Sequence, residues 1–340
     1  MRVVFAGSPE IAVPSLRAVS GVTKLVAVLT NPESQKGRGL VASATPVAVA
    51  AAEIAPGSRL PILAFEHLGG EAREAVAALS PDLLVSFAYG RIFGPKFLAL
   101  FPLGGVNIHP SLLPRWRGPT PIPAAILHRE AESGVSVQRL ALAGADGPGI
   151  DAGDLLAVER IVLDPRETTV SLSRKAAEVG ARLVADFLAA MVEGRHEARP
   201  QEGTPTYSTL LKKDDGLIDW NRPVEELDAL VRAFDPWPGA FTRFRGLRLS
   251  ILEAVAYPGR HWEGGGGGSM GAGTNLGMGA GTILGMGAGT ILGMDKSLGL
   301  MVQGHDGFVA LRRLQLQQKK ALGWREFANG IRDLAGERLG

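Results

Sequence analysis

The chain has 340 residues, of which 46% are hydrophobic and 21% charged, and its net charge is +2. That length suggests two domains, and that apolar content excludes a disordered chain. There is no cysteine, which excludes a disulfide framework, a thiolate metal site and a cysteine nucleophile, while the near-balanced charge means that any nucleic-acid contact must come from a local basic patch.

The opening MRVVFAGSPE carries an apolar run too short for a signal-peptide core, and no stretch of about twenty apolar residues follows it. A cytoplasmic protein with no membrane span is expected. Arg2–Ala6 is a β-branched run ending at Gly7-Ser8-Pro9, a helix-start signal, so a strand is followed by a helix over Pro9–Val19 and a second strand over Lys24–Thr30. Strand, helix, strand is the beginning of a parallel, Rossmann-like α/β sheet. The pattern continues with helices at Thr45–Ile54 and Gly70–Leu79, a short strand at Leu60–Leu63, and buried strands at Leu83–Ala88 and Val106–His109. After a proline-rich segment at 110–123, strands are expected near Val135–Leu140 and Leu155–Ile161, then a long helix from Thr169 to about Val192.

Residues 193–206 are rich in charge, Gly and Pro and read as a linker between a domain at 1–192 and a second one at 207–340. Beyond it, a helix at Val224–Phe234 precedes short strands at Ala240–Phe244, Leu247–Val255, Leu298–Gln303 and Gly307–Leu316. Short strands broken by turns suggest a small, OB-like β-barrel. Within it, residues 264–294 form a Gly-rich stretch whose eight-residue repeat, MGAGTNLG then MGAGTILG, reads as a lengthened surface loop.

The chemistry concentrates in Val106-Asn107-Ile108-His109-Pro110-Ser111-Leu112-Leu113-Pro114-Arg115-Trp116-Arg117-Gly118. Alternate residues of a strand share a face, so Asn107 and His109 point the same way at a strand's C-terminal edge, where open α/β sheets place their ligands. An amide can donate to a developing oxyanion, and an imidazole can take part in proton transfer. The following prolines and leucines make a ledge suited to a flat ligand. A carboxylate is needed to orient the histidine; Asp151 in GIDAGD and Asp146 in GADGP both qualify on these grounds.

Taken together, Asn107 through Pro114 with Arg117-Gly118 resembles the signature of the folate-dependent formyltransferases, and the resemblance fails only between about Tyr257 and Asp295. It implies Asn107, His109 and Asp151 as catalytic residues, Asp151 being favoured over Asp146 because it opens a family-like Asp-x-Gly-Asp. It implies 10-formyltetrahydrofolate as donor, lying along Phe87, Tyr89 and Gly90 and along Ser111, Leu112, Leu113 and Pro114. Gly37-Arg38-Gly39 followed by Thr45-Pro46-Val47 resembles the loop that reaches a tRNA acceptor end in the branch acting on initiator methionyl-tRNA, which implies Arg38 and Lys36 as tRNA contacts.

Clusters at Arg243/Arg245/Arg248, Arg312/Arg313 and Lys319/Lys320 are further candidates for a nucleic-acid backbone. A monomer is expected. No set of His, Asp and Glu has metal-ligand spacing, so no metal is expected. The alternatives are a sugar-nucleotide N-formyltransferase, a formyltetrahydrofolate hydrolase and a non-catalytic tRNA-binding protein. The basic loop argues against the first and a basic C-terminal domain against the second. The intact Asn107/His109 pair argues against the third.

Overall fold

The structure, a computed structural model, describes residues 1–36, 41–54, 60–140, 149–259 and 287–340. Two compact units are present: residues 1–125, 130–165 and 171–210 form one, and residues 126–129, 166–170 and 211–340 the other.

The first unit begins with β1 (Arg2–Gly7), α1 (Val13–Val22) and β2 (Lys24–Thr30), followed by a hairpin of β3 (Ser34–Lys36) and β4 (Val41–Ser43). Then come α2 (Pro46–Ile54), β5 (Ile62–Ala64), α3 (Gly70–Ala77), β6 (Leu83–Phe87), α4 (Pro95–Leu98) and β7 (Gly105–His109). α5 (Pro121–Leu127), β8 (Glu132–Arg139), β9 (Leu155–Val162) and α6 (Thr169–Val192) follow. The start at Ser8-Pro9 produces a 3-10 turn over Glu10–Ala12 before α1 takes over. α5 begins within the end of the proline-rich segment, which hid it; its prolines at 121 and 123 sit in the first turn, where no backbone N–H is required.

Seven strands in the order β5-β2-β1-β6-β7-β8-β9 form one sheet. It is parallel from β5 to β7 and antiparallel at β7–β8 and β8–β9. The sheet is therefore mixed: its last strands return without the crossover that parallel neighbours need. In β1, Val3, Val4, Phe5 and Ala6 are all fully buried, as a strand covered on both faces requires. The chain order reverses where β1 lies between β2 and β6, so the C-terminal ends of β1, β6 and β7 open on one edge of the sheet.

The second unit holds α7 (Val224–Ala233), then β10 (Phe241–Phe244), β11 (Leu247–Pro258), β12 (Ile291–Asp295), β13 (Gly299–Gln303), β14 (Gly307–Leu316), β15 (Leu322–Gly323) and α8 (Trp324–Asn329). The order is β10-β11-β14-β13-β12 with β15 on β14, every pairing antiparallel. α7 buries Val224, Leu227, Leu230 and Val231, one apolar stripe of an amphipathic helix. Trp220 Nε1 donates to Thr242 Oγ1 at 3.1 Å, so the indole is buried with its one donor satisfied. The succession of a Rossmann-like sheet and a separate antiparallel β domain is the one expected. The Gly-rich stretch lies outside the described residues up to position 286, and its last part forms β12.

Candidate active site

β7 pairs with β8 so that Asn107 faces Gln138 and His109 faces Ser136. Directly opposed residues of an antiparallel pair share a face. One face of the β7–β8 ribbon thus carries four polar side chains, while Val106, Ile108, Val135 and Val137 pack into the core. Asn107 is half-buried, and its amide has no hydrogen-bond partner among the described residues. His109 is 4% exposed, yet its surroundings are polar: Nε2 lies 2.9 Å from the Trp116 carbonyl oxygen and Nδ1 3.6 Å from Asp151 Oδ2.

Asp151 sits just before β9 with a left-handed backbone, φ +53°. Both its carboxylate oxygens are held: the Gly118 N–H donates to Oδ2 at 2.9 Å and Gln138 Nε2 to Oδ1 at 2.8 Å. Gly118 is the residue this requires. Its φ is +101°, and a Cβ there would stand 2.6 Å from the Ser208 carbonyl oxygen. The three residues expected to be catalytic thus come together on one sheet edge. Asp146, the competitor, lies outside the described residues.

The ledge is more buried than its sequence suggests. Ser111 is fully buried and donates its Oγ to the Arg115 carbonyl at 2.7 Å. Leu113 and Pro114 are buried, joined by a cis peptide, and Leu112 is half-buried. Ser136 anchors the run, its Oγ donating to the Ser111 carbonyl at 2.8 Å and accepting from Leu113 N–H at 3.2 Å. Leu112 packs on Gly134, where a Cβ would collide with it. Leu113 instead lines a separate cavity of about 890 Å³ with Leu155, Leu156, Phe187 and His196.

Phe87 and Tyr89 do not offer side chains to a ligand. Phe87 is fully buried and Tyr89 2% exposed, its ring stacked 5.3 Å from Phe93. Burial pushes the Tyr89 hydroxyl above its ordinary value, with Arg91 pulling the other way. Strand β6 is covered on both faces, so its end feeds side chains into the core. What this turn exposes is Ala88 and Gly90, both at positive φ. Asn31 braces it, donating Nδ2 to the Tyr89 carbonyl at 3.0 Å and accepting from Arg91 Nε at 2.8 Å.

Lys36 closes β3, at one end of the β3–β4 hairpin, and Arg38 lies outside the described residues. The basic clusters of the second unit divide. Arg245 is paired with Glu337 and Arg312 with Glu253, and the Arg248 guanidinium lies 3.6 Å over the Phe241 ring. Arg243, Arg313, Lys319 and Lys320 are exposed without ion-pair partners among the described residues. Among those residues, too, no three His, Asp or Glu side chains are grouped to hold a metal ion.

Sequence reasoning missed Gln138 and Gln201. Gln138 was within reach: in Val135-Ser136-Val137-Gln138 the polar residues alternate with apolar ones on a strand paired to Asn107 and His109. Gln201 gives no such signal, because it lies in the segment read as a linker.

Residues 1–188 match the family described as formyl transferase, and residues 210–332 the formyl transferase C-terminal domain. The methionyl-tRNA formyltransferase of Treponema denticola is 41% identical over 338 residues, 98% of each chain. Among solved structures, the N-formyltransferase of Helicobacter canadensis, in complex with folinic acid and dTDP-3-aminofucose, has a TM-score of 0.59 at 17% identity and covers 94% of this chain and 99% of its own. HypX of Aquifex aeolicus with tetrahydrofolic acid has the same TM-score, 0.59, at 16% identity over 99% of this chain, which spans only 48% of HypX. At those identities the two structures speak for the fold, while the residues matched along nearly the whole length speak for more: the chain belongs to the formyl transferase family.

Proposed function

We propose that the protein transfers the formyl group of 10-formyltetrahydrofolate to the α-amine of initiator methionyl-tRNA. The observation that carries this reading is the amide of Asn107, without a hydrogen-bond partner among the described residues, on the same strand face as His109, whose ring is held by the Trp116 carbonyl and faces Asp151. The near full-length likeness to a methionyl-tRNA formyltransferase supports the choice of acceptor.

In the reaction the amine nitrogen bonds to the formyl carbon, and the bond from that carbon to the folate nitrogen breaks. A proton leaves the amine and one is gained by the departing nitrogen. Asn107 donates its amide N–H to the oxyanion that develops on the formyl oxygen. A preorganised donor of this kind is worth about 3–4 kcal/mol in the transition state. His109 contributes through Nδ1, the ring nitrogen not committed to Trp116, and the Asp151 carboxylate balances positive charge that develops on the ring.

The Ala88–Gly90 turn fits the donor through main-chain groups, and the half-buried Leu112 supplies apolar contact on the Ser111–Pro114 ledge. Residues 1–192 carry the chemistry. Residues 207–340 bind tRNA, with Arg243, Arg313, Lys319 and Lys320 among the exposed cations that meet its backbone, and Lys36 and Arg38 address the acceptor end. The protein works in the cytoplasm as a monomer. Among the described residues no helix is long and apolar enough to cross a membrane.

Charged initiator tRNA and 10-formyltetrahydrofolate, with elongator methionyl-tRNA and a no-tRNA reaction as controls, test the reading. Formyl-methionyl-tRNA made from the initiator species supports it. Formate released without tRNA points to a hydrolase, and no product in either reaction overturns it.

A further inference from the structure

Residues 193–206 look like a tether in the sequence, yet the end of this segment is built into the first unit beside the signature run. Trp116 N–H donates to Thr206 Oγ1 at 2.9 Å, Arg117 N–H to the Thr206 carbonyl at 2.9 Å and Ser208 N–H to the Arg117 carbonyl at 2.7 Å. Residues 206–208 therefore lie along residues 116–118 like an added parallel strand, bridged at Arg117 and Tyr207.

Gln201 is the side chain this arrangement delivers to the site. Its Nε2 donates to the carbonyl of Asp151 at 2.8 Å and to that of Gly153 at 2.7 Å. Its Oε1 accepts from Arg117 Nε at 3.1 Å and Nη2 at 2.7 Å. A guanidinium only donates, so the amide oxygen must face Arg117 and the NH₂ must face the Asp151 loop. The ring closes through the chain itself: Arg117 precedes Gly118, whose N–H holds Asp151 Oδ2. Asp151 is thus gripped at its carboxylate by Gly118 and Gln138 and at its main chain by Gln201. That main chain has a left-handed conformation at a non-glycine residue, which persists only when its neighbours impose it.

We propose that Gln201 is a positioning residue for formyl transfer, fixing the pitch of the Asp151 carboxylate against His109 Nδ1. The inference rests on the function proposed above. Misplacing a reacting group by about 1 Å can cost on the order of 100-fold in rate, so a loss of roughly 10- to 100-fold in kcat is expected without loss of substrate binding.

The test uses Gln201→Glu in the full chain. A glutamate keeps the contact to Arg117 but turns an oxygen toward the Asp151 and Gly153 carbonyls. With 10-formyltetrahydrofolate and methionyl-tRNA as substrates, kcat should fall at least about tenfold while both KM values stay within about twofold of the parent. In the Asp151→Asn background the same change should cost less than about twofold, because residues acting as one unit are not additive. Gln201→Met, which keeps the shape without the hydrogen bonds, should reproduce the pattern. Wild-type kcat, a loss confined to KM, an undiminished loss in the Asp151→Asn background, or losses that vanish on normalising to the folded fraction would each overturn the inference. Parent protein that makes no formyl-methionyl-tRNA sinks the function itself, an outcome distinct from an active parent with indifferent Gln201 variants.

Discussion

His109 donates its Nε2–H to the carbonyl oxygen of Trp116 at 2.9 Å. A carbonyl only accepts, so this one contact selects the tautomer and leaves Nδ1 as the ring nitrogen available for chemistry. Nδ1 faces Asp151 Oδ2 at 3.6 Å, beyond hydrogen-bond length but close enough to stabilise an imidazolium. The pair is poised rather than closed.

Asp151→Asn tests that relationship. Each carboxylate oxygen accepts a hydrogen bond, from Gly118 N–H and Gln138 Nε2; an asparagine must turn its NH₂ against one of them, and it loses the charge facing Nδ1. Because the contacts are local, the fold survives. Single-turnover formylation should slow by about 100- to 10,000-fold, the usual worth of a positioned acid–base group. A rate within tenfold of the parent would remove Asp151 from the mechanism.

Asn107→Ala separates catalysis from stability more cleanly. The amide has no partner among the described residues, so its removal breaks no folded-state hydrogen bond there and the melting temperature should move little. The rate should fall by about 100- to 1,000-fold, as for loss of one oxyanion donor. A large drop in melting temperature with an unchanged rate would reassign Asn107 to structure.

Asn107 and His109 were legible because a strand has a side-chain period of two and their apolar neighbours Val106 and Ile108 fix the phase. The β-branched runs and the 24-residue span of α6 were legible for the same reason: their patterns are local. What stayed hidden is held by partners distant in sequence. Gln201 lies 50 residues from the Asp151 carbonyl and 84 from Arg117, and no periodicity connects them. The resemblance that implied Phe87 and Tyr89 carries no information on side-chain direction, because aromatic residues at a strand end look alike whether they face a ligand or the core. Only the stack of Tyr89 on Phe93 decides between these.

Gly118→Ala probes the turn behind the carboxylate. At φ +101° with the Ser208 carbonyl 2.6 Å from the position of a Cβ, an alanine must shift the backbone. That shift withdraws the N–H that holds Asp151 Oδ2 and loosens residues 206–208, so both kcat and thermal stability should fall. The strain of a left-handed non-glycine residue alone is about 1–3 kcal/mol. Differential scanning fluorimetry and initial rates check the two effects, and a variant unchanged in both would show that the turn relaxes freely.

Four exposed cations of the second unit, without ion-pair partners among the described residues, make a salt prediction. If Arg243, Arg313, Lys319 and Lys320 each neutralise one phosphate, changing all four to alanine should reduce the slope of log affinity for tRNA against log salt by about 3–4. Arg245→Ala should change it less, since that guanidinium is already engaged by Glu337. Filter binding across a salt series measures both slopes, and an unchanged slope in the fourfold variant would place the tRNA elsewhere.

Tyr89→Phe runs in the opposite direction. The Tyr89 hydroxyl is buried without a hydrogen-bond partner among the described residues, and leaving such a group unsatisfied costs about 1–3 kcal/mol, so the phenylalanine variant should be the more stable one. The pH dependence has a definite sign. Burial raises the folded-state pKa above the ordinary value of 10.0, so below that value the hydroxyl is neutral in both states and its contribution does not change with pH. Above it the unfolded chain ionises first, and the folded state loses stability as pH rises toward the folded pKa. Tyr89→Phe should flatten that alkaline decline in urea unfolding measured from pH 8 to 11. The same variant should leave KM for the formyl donor unchanged, because the turn presents main chain rather than this ring; a raised KM would return the phenol to the binding site.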